Sequence, residues 1–587
     1  MFKLDKCMEK LIPIDKALPT SGHSSMYIMH KFFARKQEDI IREYIQSHTY
    51  PGEIVLDPFC GSGVMVGEAL RLNRRVIGID INPVAIFITK NTISSVKIEE
   101  IVNEFIKIEN EISTGINKLY QTKCRKCNKE VPAICFTWNK NNLVDVRYEC
   151  PHHGRIISKI SKKDIEQYQS ITQNINKEFF DSEGKCLYWY PKNEFQYQNG
   201  NAFLKREHYN SVDELFTYRN LISLAKLYSR ILKITNKNLQ EAYKFAFSSL
   251  THLASKMTPV RPSRPFSSAW VQQSYWFCPN YMESNVWNLF KRSVHGKQGL
   301  IKAKEDIPTN FVKLKHANRI ETFFMDNKYE YCLIDSTITS LNCIKENSID
   351  YIITDPPYGH SIQYGELLFM WGSWLRLMDN FNLIAQKEII KNPKQMKGDK
   401  EYESMLTETF KAIFRVLKPG RYCTVTFHNP SLNYRNILFR SVILNGFKLE
   451  KIIYQPPPRP SAKSLLQPFG SLEGDYFFRF KKPKNNQPKD YRPINKLKLE
   501  ELIVKITKQI ILEQGGPVHY TYIQNTIDPI LYEFLEKSNA LMDFQPDNIE
   551  KTLKQYIGKI FQIVDIEAKI IGKKAIPCKG WTLIKFD

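Results

Sequence analysis

The sequence predicts an open, mostly parallel α/β sheet that is interrupted by a large insertion and followed by a small C-terminal domain. Three observations predict it: a strand–turn–helix–strand unit at 53–80, a second series of strands from 331, and a long stretch of different character between them. Apolar residues at helical spacing (Ile40, Ile41, Tyr44, Ile45) stop at Tyr50-Pro51-Gly52. EIVLD (53–57) then reads as a short buried strand, followed by a glycine-containing turn, a helix from about Val64 to Leu72, and a strand in RRVIGID (74–80). Strand, helix, strand is one βαβ unit and implies parallel pairing. Between 98 and 330, helical stretches (98–121 and 213–256) flank a Cys/His cluster and an aromatic, proline-rich segment. YCLID (331–335), IDYIITD (349–355), RYCTVTFH (421–428) and YFFRF (476–480) resume the strand pattern, with a helix at about 402–417. A hydrophilic linker (481–493) precedes helices and a strand-like GWTLIKF at the end. The expected units are 1–97, 98–329, 330–484 and 490–587.

The 587 residues are too many for one compact core, and 42% apolar content is ordinary for a folded protein. No apolar run reaches the roughly eighteen residues of a membrane span, and the first residues lack a secretory apolar core. The expected location is the cytoplasm, with no membrane partner. Twelve scattered cysteines are too few for a disulfide scaffold. Lys and Arg outnumber Asp and Glu 84 to 61, giving a net charge of +23, which favours a polyanionic partner.

Two motifs carry chemistry. Asp57-Pro58-Phe59-Cys60-Gly61-Ser62-Gly63 follows a buried strand and opens a helix, and its glycines let the backbone approach a ligand closely. Asp80 ends the next strand, before Ile81 and Asn82, where an acid accepts hydrogen bonds from ribose hydroxyls. Asp355-Pro356-Pro357-Tyr358 follows the strand IDYIITD. An exocyclic amine is a poor nucleophile because its lone pair is delocalised into the ring. The Asp355 carboxylate and the Pro356 carbonyl suit the two amino hydrogens, the prolines stiffen the turn, and Tyr358 offers a face for a flipped base.

Together these motifs resemble the amino-methyltransferases of DNA, over roughly 20–95 and 330–482. The resemblance implies a Rossmann-like class I methyltransferase sheet of about seven strands. It implies S-adenosyl-L-methionine as cofactor, held by the loop, Asp80, Asp335 with Ser336, and the segment from His30 and Lys31. It implies methyl transfer to a base of double-stranded DNA. Asp at the first tetrapeptide position tilts the reading to adenine N6, within a bacterial restriction-modification or phage-defence setting with partner proteins of that system. Cytosine N4, an RNA base and a non-catalytic nucleic-acid-binding role are the alternatives.

Within the insertion, Cys124-x2-Cys127 and Cys150-x2-His153 have the spacing of a structural Zn2+ ribbon. The stretch 257–287 combines Arg261 and Arg264 with aromatics, Trp270 and Tyr275 among them, and is read as a DNA-contacting segment. Arg459 and Lys463 sit in a second basic loop suited to phosphate. The C-terminal segment is read as winged-helix-like.

Overall fold

The computed structural model describes residues 11–204, 210–270, 274–457, 474–485, 490–571 and 574–584, with side chains of 567–577 left aside. Along the chain, the helix Glu38–His48 leads to strand β1 (Ile54–Asp57), the helix Val64–Arg71, β2 (Arg75–Asp80) and the helix Pro83–Ile93. The insertion contributes β3 (Gln121–Lys123), β4 (Glu130–Asn139), β5 (Asn142–Cys150), β6 (Gly154–Lys159) and β7 (Asn280–Ser284). The main sheet resumes with β8 (Tyr331–Asp335), β9 (Ile349–Thr354), β10 (Leu417–Phe427), β11 (Lys448–Gln455) and β12 (Asp475–Lys481).

Seven strands form the main sheet in the order β11-β12-β10-β9-β1-β2-β8. All pairings are parallel except those of β12, which runs against both β10 and β11. The central strands are apolar on both faces because helices cover both: every residue of β9 is buried, as are Val55 and Leu56 of β1. Strand order reverses between β1 and β9, which pair Leu56 with Ile352. Connections leave a crevice at the carboxyl ends of strands flanking such a reversal, and both sequence motifs end there.

The insertion is not packed as a separate unit. Its helices Tyr218–Leu232 and Lys237–Thr251 share one apolar cluster with Phe33 and with Trp371 and Trp374 of the helix Tyr364–Leu375, just beyond the tetrapeptide. A boundary at 329/330 therefore follows the sequence pattern but not the packing. The same holds at the C-terminal end. Helices Lys496–Gln514 and Tyr520–Lys537, with Trp581 of the closing hairpin, join the cluster that contains Ile352 and Val425 of the sheet. A buried Arg435–Asp528 pair at 2.9 Å pins that junction. No helix among the described residues is long and apolar enough to cross a membrane.

The insertion has its own buried ion pair. Glu283 on β7 receives Arg219 Nη1 at 2.8 Å and Trp138 Nε1 at 2.8 Å, together with the Thr217 hydroxyl. Arg219 also lies 4.1 Å from the Phe136 ring centroid. Removing the acid alone strands a fully buried guanidinium. Glu283→Ala is expected to destabilise the insertion by about 3–5 kcal/mol, measured as a shift in denaturant unfolding followed by tryptophan fluorescence.

Candidate active site

On one wall, β1 delivers Asp57 and the chain turns sharply through Gly61 (φ +51°) and Gly63 (φ +80°), a backbone region that glycine enters without strain. A Cβ on Gly61 would lie 2.9 Å from the Phe32 ring, and one on Gly63 2.7 Å from a methyl of Thr89. Asp80 holds the loop from below: the amides of Gly61 and Asn82 donate to its two carboxylate oxygens at 3.0 and 2.9 Å. Burial pushes Asp80 up to about 6. Asp57 accepts from the Phe59 amide at 3.2 Å and from the Thr354 hydroxyl at 2.9 Å. Burial pushes it up to about 8, and its other oxygen is buried without a partner among the described residues.

The Thr354 contact ties this wall to the opposite one. There β9 delivers Asp355, whose Oδ1 accepts from the Thr426 hydroxyl at 2.6 Å and from the Tyr358 hydroxyl, and lies 3.3 Å from Lys36 Nζ. Among the described residues no donor reaches Asp355 Oδ2 or the Pro356 carbonyl, whereas the Pro357 carbonyl accepts from Tyr402 at 2.7 Å. One carboxylate oxygen is thus fixed by the protein, while the other has no partner among the described residues. Lys36 is almost fully buried, donates to the Tyr358 hydroxyl at 2.6 Å and pairs with Asp475 at 2.8 Å. Burial alone would lower its pKa, but Asp355 and Asp475 outweigh that and raise it. Burial also raises Asp355, against the opposing pull of Lys36. Asp57, Gly61, Asp80, Asp355, Pro357 and Tyr364 line a single cleft.

Residues 9–91 match the family model described as DNA methylase, of the N6/N4 type. The type II methyltransferase M.MjaII of Methanocaldococcus jannaschii is 22% identical over 450 residues, covering 72% of this chain and 75% of that protein. The chain is similar to the N6/N4 DNA methylases over these stretches. Solved structures overlap it less fully. A Thermus thermophilus protein named as a DNA modification methylase, solved with S-adenosyl-L-methionine, is 16% identical with a TM-score of 0.15. That overlap spans 28% of this chain and 56% of the Thermus chain. An S-adenosylmethionine-dependent methyltransferase from Methanosarcina mazei is 11% identical over 27% of this chain and 69% of its own, also at 0.15.

Pro58, Phe59, Cys60, Ser62, Ile81, Asn82 and Ser336 also line the cleft. Three expected cofactor residues are placed otherwise. His30 is buried between Phe245 and Trp371 at ring distances of 5.4 and 5.0 Å, and burial lowers it to about 4. Lys31 turns away to the Trp270 carbonyl at 2.7 Å. Asp335 is exposed and does not line the cleft, whereas Ser336, Thr337 and Ile338 do. Arg35 and Lys36 line the cleft instead. They lie in the basic HKFFARK run, which marks them only as a charged segment before a helix. Asp475 gives no sequence signal at all, because an acid at the start of an edge-side strand is ordinary.

Trp270 and Tyr275 do not meet the expectation of nucleic-acid contact. Trp270 is 2% exposed, edge-on to Phe33, and donates to the Ser274 carbonyl at 3.0 Å. The Tyr275 hydroxyl donates to the Glu366 carbonyl at 2.9 Å. Trp270 fills the aromatic core beneath the segment, and Tyr275, half-buried, packs against that core. Arg264 is exposed and Arg261 partly so. Arg459 and Lys463 lie outside the described residues. Tyr358 is only 4% exposed, packed against Phe427, with Lys36 over its ring at 5.2 Å.

In the insertion, the β3–β4 and β5–β6 turns bring Cys124, Cys127, Cys150 and His153 together, with all four ligand atoms within 4.8 Å of one another. Cys127 and Cys150 sulfurs are 3.7 Å apart, and His153 Nδ1 lies 3.8 and 3.6 Å from Cys124 and Cys150.

Proposed function

We propose that the protein transfers a methyl group from S-adenosyl-L-methionine to the exocyclic amine of a flipped base in double-stranded DNA, with adenine N6 as the target. The observation that carries this reading is Asp355 Oδ2, an acceptor with no partner among the described residues, on a residue lining the cleft that also contains the glycine loop, with the unpartnered Pro356 carbonyl next in the chain. The residues present fit the cofactor: a loop where side chains would clash, an acid at the end of β2, and an unpartnered buried oxygen on Asp57. The loop, Asp80, Ile81, Asn82 and Ser336 would hold it, and it supplies an electrophilic methyl carbon. Asp355 and Pro356 accept the two amino hydrogens, draw the nitrogen towards sp³ and aim its lone pair. Asp355 is also the nearest base for the proton that the methylated nitrogen sheds. Tyr358 would present its ring to the base, with Lys36 keeping its contact with Asp355. Flipping costs a few kcal/mol, which backbone contacts from the basic surface offset.

The deciding experiment is methyl transfer from labelled cofactor to DNA and to RNA, followed by nucleoside mass spectrometry. N6-methyldeoxyadenosine is expected. N4-methyldeoxycytidine or a methylated ribonucleoside would move the assignment to those substrates. No transfer to any nucleic acid would leave a binding role only. A restriction-modification or phage-defence setting fits a DNA-modifying enzyme and remains part of this proposal.

The Cys/His cluster is proposed to hold structural Zn2+. Sulfurs bonded at about 2.3 Å to a tetrahedral centre stand about 3.8 Å apart, close to the spacing found here. Cys124→Ser/Cys127→Ser is expected to lose stoichiometric zinc by elemental analysis and to loosen β3–β6. Three helices closed by a hairpin are compatible with the winged-helix-like reading of the C-terminal segment.

A further inference from the structure

Next to the cofactor cleft, and sharing Phe32 and Arg35 with it, lies a second cavity of about 590 Å³ between the 28–35 segment, the end of the helix Lys237–Thr251 and the helix Val286–His295. Its walls carry Lys31, Arg35, Arg292 and Lys297, with the hydroxyl residues Ser249 and Ser293 and the imidazole of His252, and no acidic residue. Charged groups withdrawn from water are ordinarily paired; Lys31 and Arg35 are half-buried, while Arg292 and Lys297 are exposed at the cavity rim. Here none of the four cations has a carboxylate within 4 Å among the described residues. Lys31 and Arg35 spend their donors on neutral partners instead: Lys31 on the Trp270 carbonyl, and Arg35 on the His30 carbonyl at 2.6 Å and the Ser62 hydroxyl at 3.4 Å. Burial lowers the pKa of Lys31, Arg35 (to about 10) and Arg292, although Arg292 is exposed where it lines the cavity. His252, also buried, is held neutral, so it adds a polar group without adding charge.

We propose that this cavity is an anion site that takes a phosphate group. Two half-buried and two exposed cations converge on one hollow of ligand size, with no carboxylate beside them among the described residues. Fork-shaped guanidinium groups and nearby hydroxyls suit phosphate oxygens. Arg292, Lys297, Ser249 and Ser293 do not line the cofactor cleft, so the site is separate from it. Arg35 contacts Ser62 of the glycine loop, so an anion here would be felt at the cofactor. The phosphate is either free or part of a DNA backbone. The site does not depend on methyl transfer.

The test uses the full chain and the double variant Arg292→Gln/Lys297→Gln. Inorganic phosphate alone is titrated calorimetrically, and duplex DNA binding is measured from about 50 to about 200 mM salt. If the ligand is free phosphate, its affinity falls about tenfold or more in the variant, with DNA binding unchanged. If the ligand is backbone phosphate, the slope of log affinity against log salt becomes shallower by about 1.8 for two lost contacts. A variant equal to the wild type in both measurements overturns the proposal. Wild-type protein that binds phosphate but no DNA would sink the DNA reading and leave the anion site standing.

Discussion

Asp355→Ala is expected to reduce methyl transfer by about 10³-fold or more, with cofactor affinity changed only a few-fold. The physical reason is the division of labour between its two oxygens. Oδ1 is held by Thr426, Tyr358 and Lys36, which fixes the carboxylate plane. Oδ2 is left for an amino hydrogen of the target. Alanine removes both the acceptor and the anchor of the tetrapeptide, whereas the grip on the cofactor comes chiefly from the β1 and β2 ends. Asp355→Asn keeps an oxygen acceptor and should retain part of the activity. Single-turnover methylation with saturating cofactor, alongside a cofactor titration, measures the two effects separately. An alanine variant as active as the wild type would remove Asp355 from the chemistry.

Lys36→Met is expected to lower turnover by about 10²-fold and to move the acid limb of the pH–rate profile upward. The sign follows from the charges around Asp355. Burial and the neighbouring Asp475 raise its pKa, while Lys36 lowers it. Without the ammonium, Asp355 takes up its proton at a higher pH, and a protonated carboxyl accepts the amine poorly. At pH below the new midpoint the variant loses rate, and raising the pH restores part of it. Lys36→Arg keeps the charge and should restore the limb. A variant with lower turnover at every pH but an unmoved limb would make Lys36 merely structural.

The central sheet was legible because its strands are short apolar runs punctuated by glycine, proline and acid, and buried parallel strands carry no competing signal. That Asp57, Gly61, Asp80 and Asp355 share one cleft follows from the same pattern, since each sits at a strand end or in the turn just after it. The zinc-type spacing of Cys124, Cys127, Cys150 and His153 is likewise a local pattern, and the two turns do bring those side chains together. What sequence could not give was the assignment of aromatics. Trp270 and Tyr275 sit in a polar, proline-rich segment that reads as surface, yet Trp270 turns inward onto Trp371 and Phe33 and Tyr275 onto Phe195, all remote in the chain. Lys36 and Asp475 meet only through the sheet, 439 positions apart by residue number (475 − 36).

Asp57 and Thr354, hydrogen-bonded across adjacent strands, are 297 residues apart in the chain. During synthesis at about 5–20 residues per second, roughly 15–60 s separate the emergence of these neighbours from the ribosome. For that interval β1 and β2 have no partner on the β9 side, and an open parallel edge is prone to wrong pairing. The inserted helices emerge before β9 and can shelter Phe33 and its surroundings early. Slow, chaperone-sensitive maturation is the kinetic counterpart of placing so large an insertion between two halves of one sheet.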